Sequence, residues 1–480
     1  MNLYLTARVS RTIFQIALSL VFTGVILFAE GYSVAQRPQR RAEPKTEVAV
    51  SQLRQAAALL QEGKPSEAEP ILHQVISAMP QNADAHNLLG IIFDQREQFK
   101  AAEQEYREAL RLNPSLISPL ANLGVLLART GRSEEAIQAF ETVLQKVPDH
   151  PQATLNLGLQ YVARADYARA MPLLEHARQL GLDRYEVRYN LALSLFYLKR
   201  MDEAAQAFES ALMLSANAAE PYYYLGLIAW AGDHGAQAVD LWNRALTLRP
   251  NFPEANFMLG ESLRKSHHAS ASVEYYKRAL EQDQSKFVHY ARLGGVYIVL
   301  RLPDQARDVF RLGVQRFPSL PEAHYFLGIA ARAAGDYGQA EAELRKSLLL
   351  EPHNVDAMAQ LGFVLLERDR MAEAETALRG AIAINDKHFY ANYDLGRLLV
   401  KSHRYDEALP IFEYAVKLKP NNQSVHYQLF LALSRSKRKD EADRELATFK
   451  QLDEARKASP QGESEIDQED AENPSSTVPP

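Results

Sequence analysis

The chain has 480 residues, 47% apolar and 24% charged, with no cysteine and a formal net charge of −6. That apolar fraction supports a folded body over most of the length and excludes general disorder. The missing cysteines exclude disulfides, thiolate metal sites, cysteine nucleophiles and lipid anchoring at a cysteine. Nothing in the charge balance provides the clustered basic surface that neutralises phosphates, so nucleic acid is not an expected partner.

The amino-terminal segment reads as an export signal. Arg8 and Arg11 precede an apolar run from Ile13 to Ala29, broken only by Gln15, Ser19, Thr23 and Gly24. Ser33-Val34-Ala35 then places small residues where a signal peptidase reads, so residues 1–35 are expected to be a signal peptide cleaved after Ala35. The alternative is an uncleaved membrane anchor through residues 13–29, a run at the lower edge of what spans a bilayer. Arg37, Arg40 and Arg41 follow the run and bear on its orientation. Residues 36–48 are polar and contain proline, and read as a disordered linker.

From residue 49 the chain repeats. Gly90, Gly124, Gly158, Gly226, Gly260, Gly294, Gly328, Gly362 and Gly396 stand 34 residues apart or a multiple of that, each preceded by leucine, with Ala192 at the vacant node. Twelve residues after each node comes a small residue, as in Ala102, Ala136, Ala204 and Ser272. Four further on comes a large one, as in Tyr106, Phe140, Phe208, Trp242 and Phe310. Proline closes seven units, among them at Pro80, Pro114, Pro318 and Pro420. Apolar residues recur at helical spacing in each half, for example Leu120, Leu123 and Leu127, then Ala136, Phe140 and Val143. Gly63, Gly131 and Gly335 occupy one turn position between the halves. Each unit therefore reads as a helix–turn–helix hairpin. The small residues at positions 8 and 20 let the two helices approach, the large residue at position 24 fills the space towards the next unit, and proline ends the second helix. A lone hairpin cannot bury its apolar stripe, so the hairpins must stack.

This pattern closely resembles the tetratricopeptide repeat (TPR), over twelve units of 34 spanning residues 49–456. The resemblance implies an all-α, right-handed superhelical solenoid of antiparallel helix pairs. The ends depart from the pattern as caps do: Ala56 replaces the first glycine, Phe430 the last, and the charged second helix of unit 12 forms a carboxy-terminal cap. Unit 7 is the least regular, with Ser272 for alanine, Gln284 for proline and a His267-His268 turn; this reads as ordinary drift in an exposed turn, the alternative being a softer joint dividing units 1–6 from 8–12. Residues 457–480 form an acidic tail without aromatics, expected to be disordered.

In TPR arrays the first helix of each unit lines a concave groove, with positions 2, 5, 6, 9, 12 and 13 available to a ligand. Position 6 holds Asn122, Asn156 and Asn190 in successive units, resembling the asparagine ladder by which some arrays hold a peptide backbone. Leu155, Tyr189 and Tyr223 at position 5, Leu159, Leu193 and Leu227 at position 9, and Val162, Phe196 and Trp230 at position 12 suggest an apolar groove floor beside it. Acidic residues at position 2, such as Asp84, Glu186 and Glu322, complement the helix dipole. His86, His324 and His426 share position 4 and read as packing residues.

No phosphate-cradling loop, His-Glu-x-x-His or Gly-x-Ser-x-Gly occurs, so neither catalysis, nor a metal, nor a cofactor is expected. The function expected is a non-catalytic protein–protein interaction scaffold, exported to the periplasm or cell envelope, that binds an extended segment of a protein or peptide partner in the groove. The alternative is a membrane-anchored assembly or adaptor factor retaining residues 13–29.

Overall fold

A computed structural model describes residues 44–458, and every regular element in that range is an α-helix. Repeat 1 is α1 (Pro44–Gln61) and α2 (Pro65–Ala78), repeat 2 α3 (Ala83–Gln95) and α4 (Phe99–Leu112), repeat 3 α5 (Ile117–Arg129) and α6 (Ser133–Lys146). Repeat 4 is α7 (Pro151–Ala163) and α8 (Tyr167–Gln179), repeat 5 α9 (Tyr185–Tyr197) and α10 (Met201–Leu214), repeat 6 α11 (Ala219–Ala231) and α12 (Gly235–Leu248). Repeat 7 is α13 (Pro253–Lys265) and α14 (Ala269–Gln282), repeat 8 α15 (Phe287–Val299) and α16 (Pro303–Arg316), repeat 9 α17 (Pro321–Ala333) and α18 (Tyr337–Leu350). Repeat 10 is α19 (Val355–Glu367) and α20 (Met371–Ile384), repeat 11 α21 (Phe389–Lys401) and α22 (Tyr405–Leu418), repeat 12 α23 (Gln423–Arg435) and α24 (Lys439–Ala458). From α3 to α23 every first helix begins at position 1 of its unit, so the 34-residue phase and the helix bounds coincide.

The chain divides into two compact parts, Met1–His234 and Gly235–Pro480. Within each part, second helices pack on the first helix of the following repeat, and consecutive first helices also touch, as α3 does α5 and α19 does α21. Each part is thus a stack of hairpins with the first helices in one row. The division falls in the turn of repeat 6. In repeat 7, Ser272 stays fully buried in the small-residue column and donates its Oγ–H to the Ala269 carbonyl at 2.7 Å. Near Gln284, Asp283 Oδ1 accepts from the Ser285 N–H at 3.0 Å and so shapes the turn that proline shapes elsewhere.

The glycine column works as expected. A Cβ on Gly124 would lie 2.7 Å from the Phe140 ring, and one on Gly260 would lie 2.7 Å from the Tyr276 ring. In these repeats the position-24 ring therefore packs directly on its own repeat's glycine. It also reaches the next repeat: Phe208 stacks on Tyr224 with centroids 5.2 Å apart, and Phe310 on Phe326 at 5.4 Å.

The turn between paired helices is more uniform than its sequence. Each first helix ends with position 15 in the left-handed region, by glycine at Gly63, Gly131 and Gly335 but by other residues elsewhere, including Ala165 (φ 57°) and Lys199 (φ 63°). The hydrogen bonds are those of a Schellman cap: the Ala165 N–H donates to the Val162 carbonyl at 2.9 Å and the Asp166 N–H to the Tyr161 carbonyl at 2.8 Å. A Cβ is strained in this conformation. Ala165→Gly is therefore expected to raise stability by about 0.5–1 kcal/mol, read as a higher urea midpoint at constant slope.

The position-4 histidines bridge repeats and do more than fill space. His324 Nδ1 lies 2.6 Å from Glu343 Oε2 on α18, and its Nε2 lies 3.0 Å from the carbonyl oxygen of Pro318, which closes the preceding repeat. His426 makes the same pair of contacts to Glu445 (2.6 Å) and Pro420 (2.8 Å), and His86 to Glu105 (2.7 Å) and Pro80 (3.4 Å). His324→Ala leaves a buried carboxylate without this partner and should cost about 2 kcal/mol in a denaturant titration.

Two expectations meet the ends of the described range. The linker expected over residues 36–48 gives way to helix at Pro44. Proline breaks a helix interior but suits the first position, where no N–H is needed, and Glu47 adds a favourable charge to the first turn. The proposed signal peptide or anchor, residues 1–35, and all but the first two residues of the tail at 457–480 lie outside the described residues. Among the described residues no helix is long and apolar enough to cross a membrane.

Candidate functional site

The row formed by α5, α7, α9 and α11 carries every groove residue expected from the sequence, all within the first compact part. Each lies on a first helix because the Leu-Gly pair fixes which face meets the second helix and leaves positions 2, 5, 6, 9 and 12 towards neighbouring first helices.

The three asparagines behave differently. Asn122 is half-buried and its Nδ2 donates to Oδ1 of Asn87, one repeat earlier, at 3.1 Å. Asn190, 3% exposed, turns its Nδ2 back onto the Glu186 carbonyl of its own helix at 2.7 Å. Asn156, 9% exposed, has an Nδ2 with no hydrogen-bond partner. The column ends at repeat 6 because Tyr224 takes position 6 and is buried against Phe208.

The apolar residues also separate into two sets. Leu155, Val162, Tyr189, Leu193, Phe196 and Tyr223 are buried. The structure brings Tyr189 and Phe196 together around Tyr224, at centroid distances of 6.4 and 5.2 Å. These residues hold α9 to α10 and α11 and are core more than surface. Leu159, Leu227 and Trp230 remain half-buried, as do Ile91 and Val125 at position 9. The accessible part of the apolar floor is therefore the position-9 row with Trp230.

On the next first helix of the row stands Glu186, buried, with Oε1 unpartnered. Burial pushes its carboxyl above the usual range, opposed by Arg184 at 3.6 Å. Burial likewise raises the Tyr224 hydroxyl well above its ordinary value. The row thus holds one buried amide donor and one buried carboxyl oxygen without partners. This suits a polypeptide main chain, which presents both an acceptor and a donor per residue.

The corresponding row in the second part carries charge at position 9. There Arg397 at position 9 donates to Asp394 at 2.9 Å and to Glu367 at 2.8 Å. Burial pushes the Asp394 carboxyl up to about 6 against the pull of Arg397. The signal was present: the aliphatic column at position 9 breaks at Glu261, Gly295 and Arg397.

Family comparisons agree with the helix pairs. Two models of the tetratricopeptide repeat match residues 53–117 and 95–157. A model described as the cilia and flagella-associated protein 70 C-terminal domain matches residues 236–470. One described as anaphase-promoting complex, cyclosome, subunit 3 matches residues 129–211. Among curated proteins, the type IV pilus assembly protein PilF of Pseudomonas aeruginosa is 30% identical over 101 residues, covering 21% of this chain and 40% of that protein. The uncharacterized protein y4yS of Sinorhizobium fredii is 35% identical over 83 residues, covering 17% and 46%. The chain thus spans less than half the length of these curated relatives. Among solved structures, PilF of Pseudomonas aeruginosa is 23% identical with a TM-score of 0.40, covering 46% of this chain and all of that one. The APC/C hetero-tetramer Cut9–Hcn1 gives 12% and 0.44 over 90% of this chain and 97% of that one. With helix pairs repeating at 34 residues and repeat models matching the chain itself, this is a tetratricopeptide-repeat protein.

Proposed function

We propose that the protein is an interaction scaffold that holds an extended partner segment along the first helices of repeats 2–6. The observation that carries this reading is the buried, unpartnered Nδ2 of Asn156, set in a row whose half-buried members are Leu159, Leu227 and Trp230. A partner carbonyl accepts from Asn156, and Asn122 offers a second amide one repeat earlier. Apolar side chains of the segment rest on the position-9 row and Trp230. Asn190 supports the site through its own helix, and Leu155, Val162, Tyr189, Leu193, Phe196 and Tyr223 set its rigidity from beneath. An unmatched buried donor favours occupancy because leaving it unpaired is costly. Capture from envelope extract should fall when Asn122, Asn156 and Asn190 are all changed to Ala in a protein whose circular dichroism melt is preserved. Equal recovery of every partner would remove the amide-ladder reading.

The setting proposed is the periplasm or cell envelope, on the strength of residues 1–35. The likeness to a pilus assembly protein over 101 residues supports an assembly role in that setting. The second reading, a membrane-anchored assembly factor, is favoured by the apolar run at residues 13–29. Sequencing the mature amino terminus separates the two: Gln36 means cleavage, Met1 or Asn2 an anchor.

A further inference from the structure

A second group of unmatched polar atoms lies in the other compact part. Tyr325 on α17 is 3% exposed, and its hydroxyl has no hydrogen-bond partner. Glu322 Oε2, Arg332 Nε and Gln360 Oε1 are likewise buried and unpartnered. These atoms share one surface between α17 and α19. The Arg332 guanidinium lies over Phe363 of α19, 5.1 Å from the ring centroid. Two turns earlier on the same two helices, the charge of Asp356 acts on the Tyr325 hydroxyl. Gln360 stands between these two points on α19.

Arg332 differs from its neighbours in the row. Arg292 donates its Nε–H to Glu261 at 2.9 Å, and Arg397 is held by both Asp394 and Glu367. Among the described residues no carboxylate lies within ion-pair distance of Arg332. Asp356 is already engaged with His388 Nε2 at 3.1 Å. A guanidinium lying over an aromatic ring keeps N–H groups available to a carboxylate; the charge of Arg332 acts on Asp394, but that buried carboxylate is held by Arg397.

We propose that the α17–α19 surface is a second binding station, distinct from the Asn156 site, for an extended partner segment bearing one acidic side chain. The carboxylate pairs with Arg332. A main-chain carbonyl accepts from the Tyr325 hydroxyl, and main-chain N–H groups donate to Gln360 Oε1 and Glu322 Oε2. The seven-residue step from Tyr325 to Arg332 is a rise of about 10 Å, about three residues of extended chain. A lone inorganic anion answers Arg332 but leaves the two acceptors unpaired, whereas a peptide supplies both kinds of group.

The test is selection of a displayed random heptapeptide library on the full chain carrying Asn122, Asn156 and Asn190 all as Ala, which removes the first site. Selected peptides should share an Asp or Glu at one place. A synthetic copy should bind roughly tenfold or more weaker to the Arg332→Gln chain, with partial rescue by Arg332→Lys. Changing the peptide acid to its amide should cost the same on the Arg332 chain and nothing further on Arg332→Gln. Tyr325→Phe, which removes only the hydroxyl, should weaken binding by a few fold without shifting the melt. Peptides without a shared acid, no selection at all in this background, or affinity unchanged by Arg332→Gln would each overturn the proposal. All of these outcomes are independent of the first site, which the background has removed.

Discussion

Phe310→Ala is expected to cost about 3–5 kcal/mol, the range for emptying a fully buried aromatic position. Phe310 is 1% exposed, lies on Gly294 of its own repeat and stacks on Phe326 of the next. Removing the ring opens two interfaces together, the α15–α16 hairpin and the joint between repeats 8 and 9. Stability in a stacked array is close to a sum of repeat and nearest-neighbour terms, so the damage should stay local. Hydrogen exchange should quicken in α15 to α17 and remain unchanged in α1 to α10. Phe310→Leu should cost under about 1.5 kcal/mol, since Leu344 and Leu378 fill the same position two repeats running. Uniform acceleration across the chain would show that the repeats unfold as one block.

The second large effect is ionic. Glu341, 7% exposed on α18, accepts from Arg345 Nε at 2.8 Å and also from Arg368 and Arg370 at the start of the following hairpin turn. Arg404 bridges to Glu375 and Glu407 in the same way one repeat on, and Arg132 to Glu103 and Glu135 near the other end. Glu341→Ala removes the shared acceptor of three partly exposed guanidinium groups and should cost about 2 kcal/mol.

The pH dependence has a definite sign. Burial alone would raise the Glu341 carboxyl, but its hydrogen bonds to Arg345 and Arg370 outweigh this and hold it below the ordinary range. Between its folded value and the unfolded value of about 4.3, the unfolded chain binds more protons. Stability therefore rises with pH through that window. The contribution is complete above the unfolded value and is lost as pH falls through the folded one. Urea titrations of the wild type should lose midpoint steeply below about pH 4, and the Glu341→Ala chain less steeply. Parallel acid profiles for the two would show that Glu341 is not what makes this joint acid-sensitive.

The hairpin phase was open to reading because its cause is local. A glycine under an aromatic ring, an alanine column and a proline stop each act within one unit, and repetition multiplies a weak signal. The turn was half visible. Gly63, Gly131 and Gly335 marked it, yet nine other residues adopt the same left-handed conformation because the cap hydrogen bonds require it. The position-16 arginines, such as Arg132, Arg370 and Arg404, formed a column of their own, but their partners stand 29 residues back. Such pairs become apparent only when neighbouring hairpins are laid side by side.

The sequence by itself determined the hairpin, its period and which helix of each pair forms the row that carries the candidate sites. Tertiary structure decided what that row exposes. Asn122, Asn156 and Asn190 share a residue type and a register, yet one pairs with Asn87, one with its own helix and one with nothing. Leu159 stays half-buried while Leu193, at the same position one repeat on, is buried. Among the described residues Arg332 has no carboxylate within ion-pair distance, whereas Arg292 and Arg397 do. Backbone pattern depends on contacts a few residues apart. An available donor or apolar edge depends on what the next repeat, 34 residues away, has left uncovered.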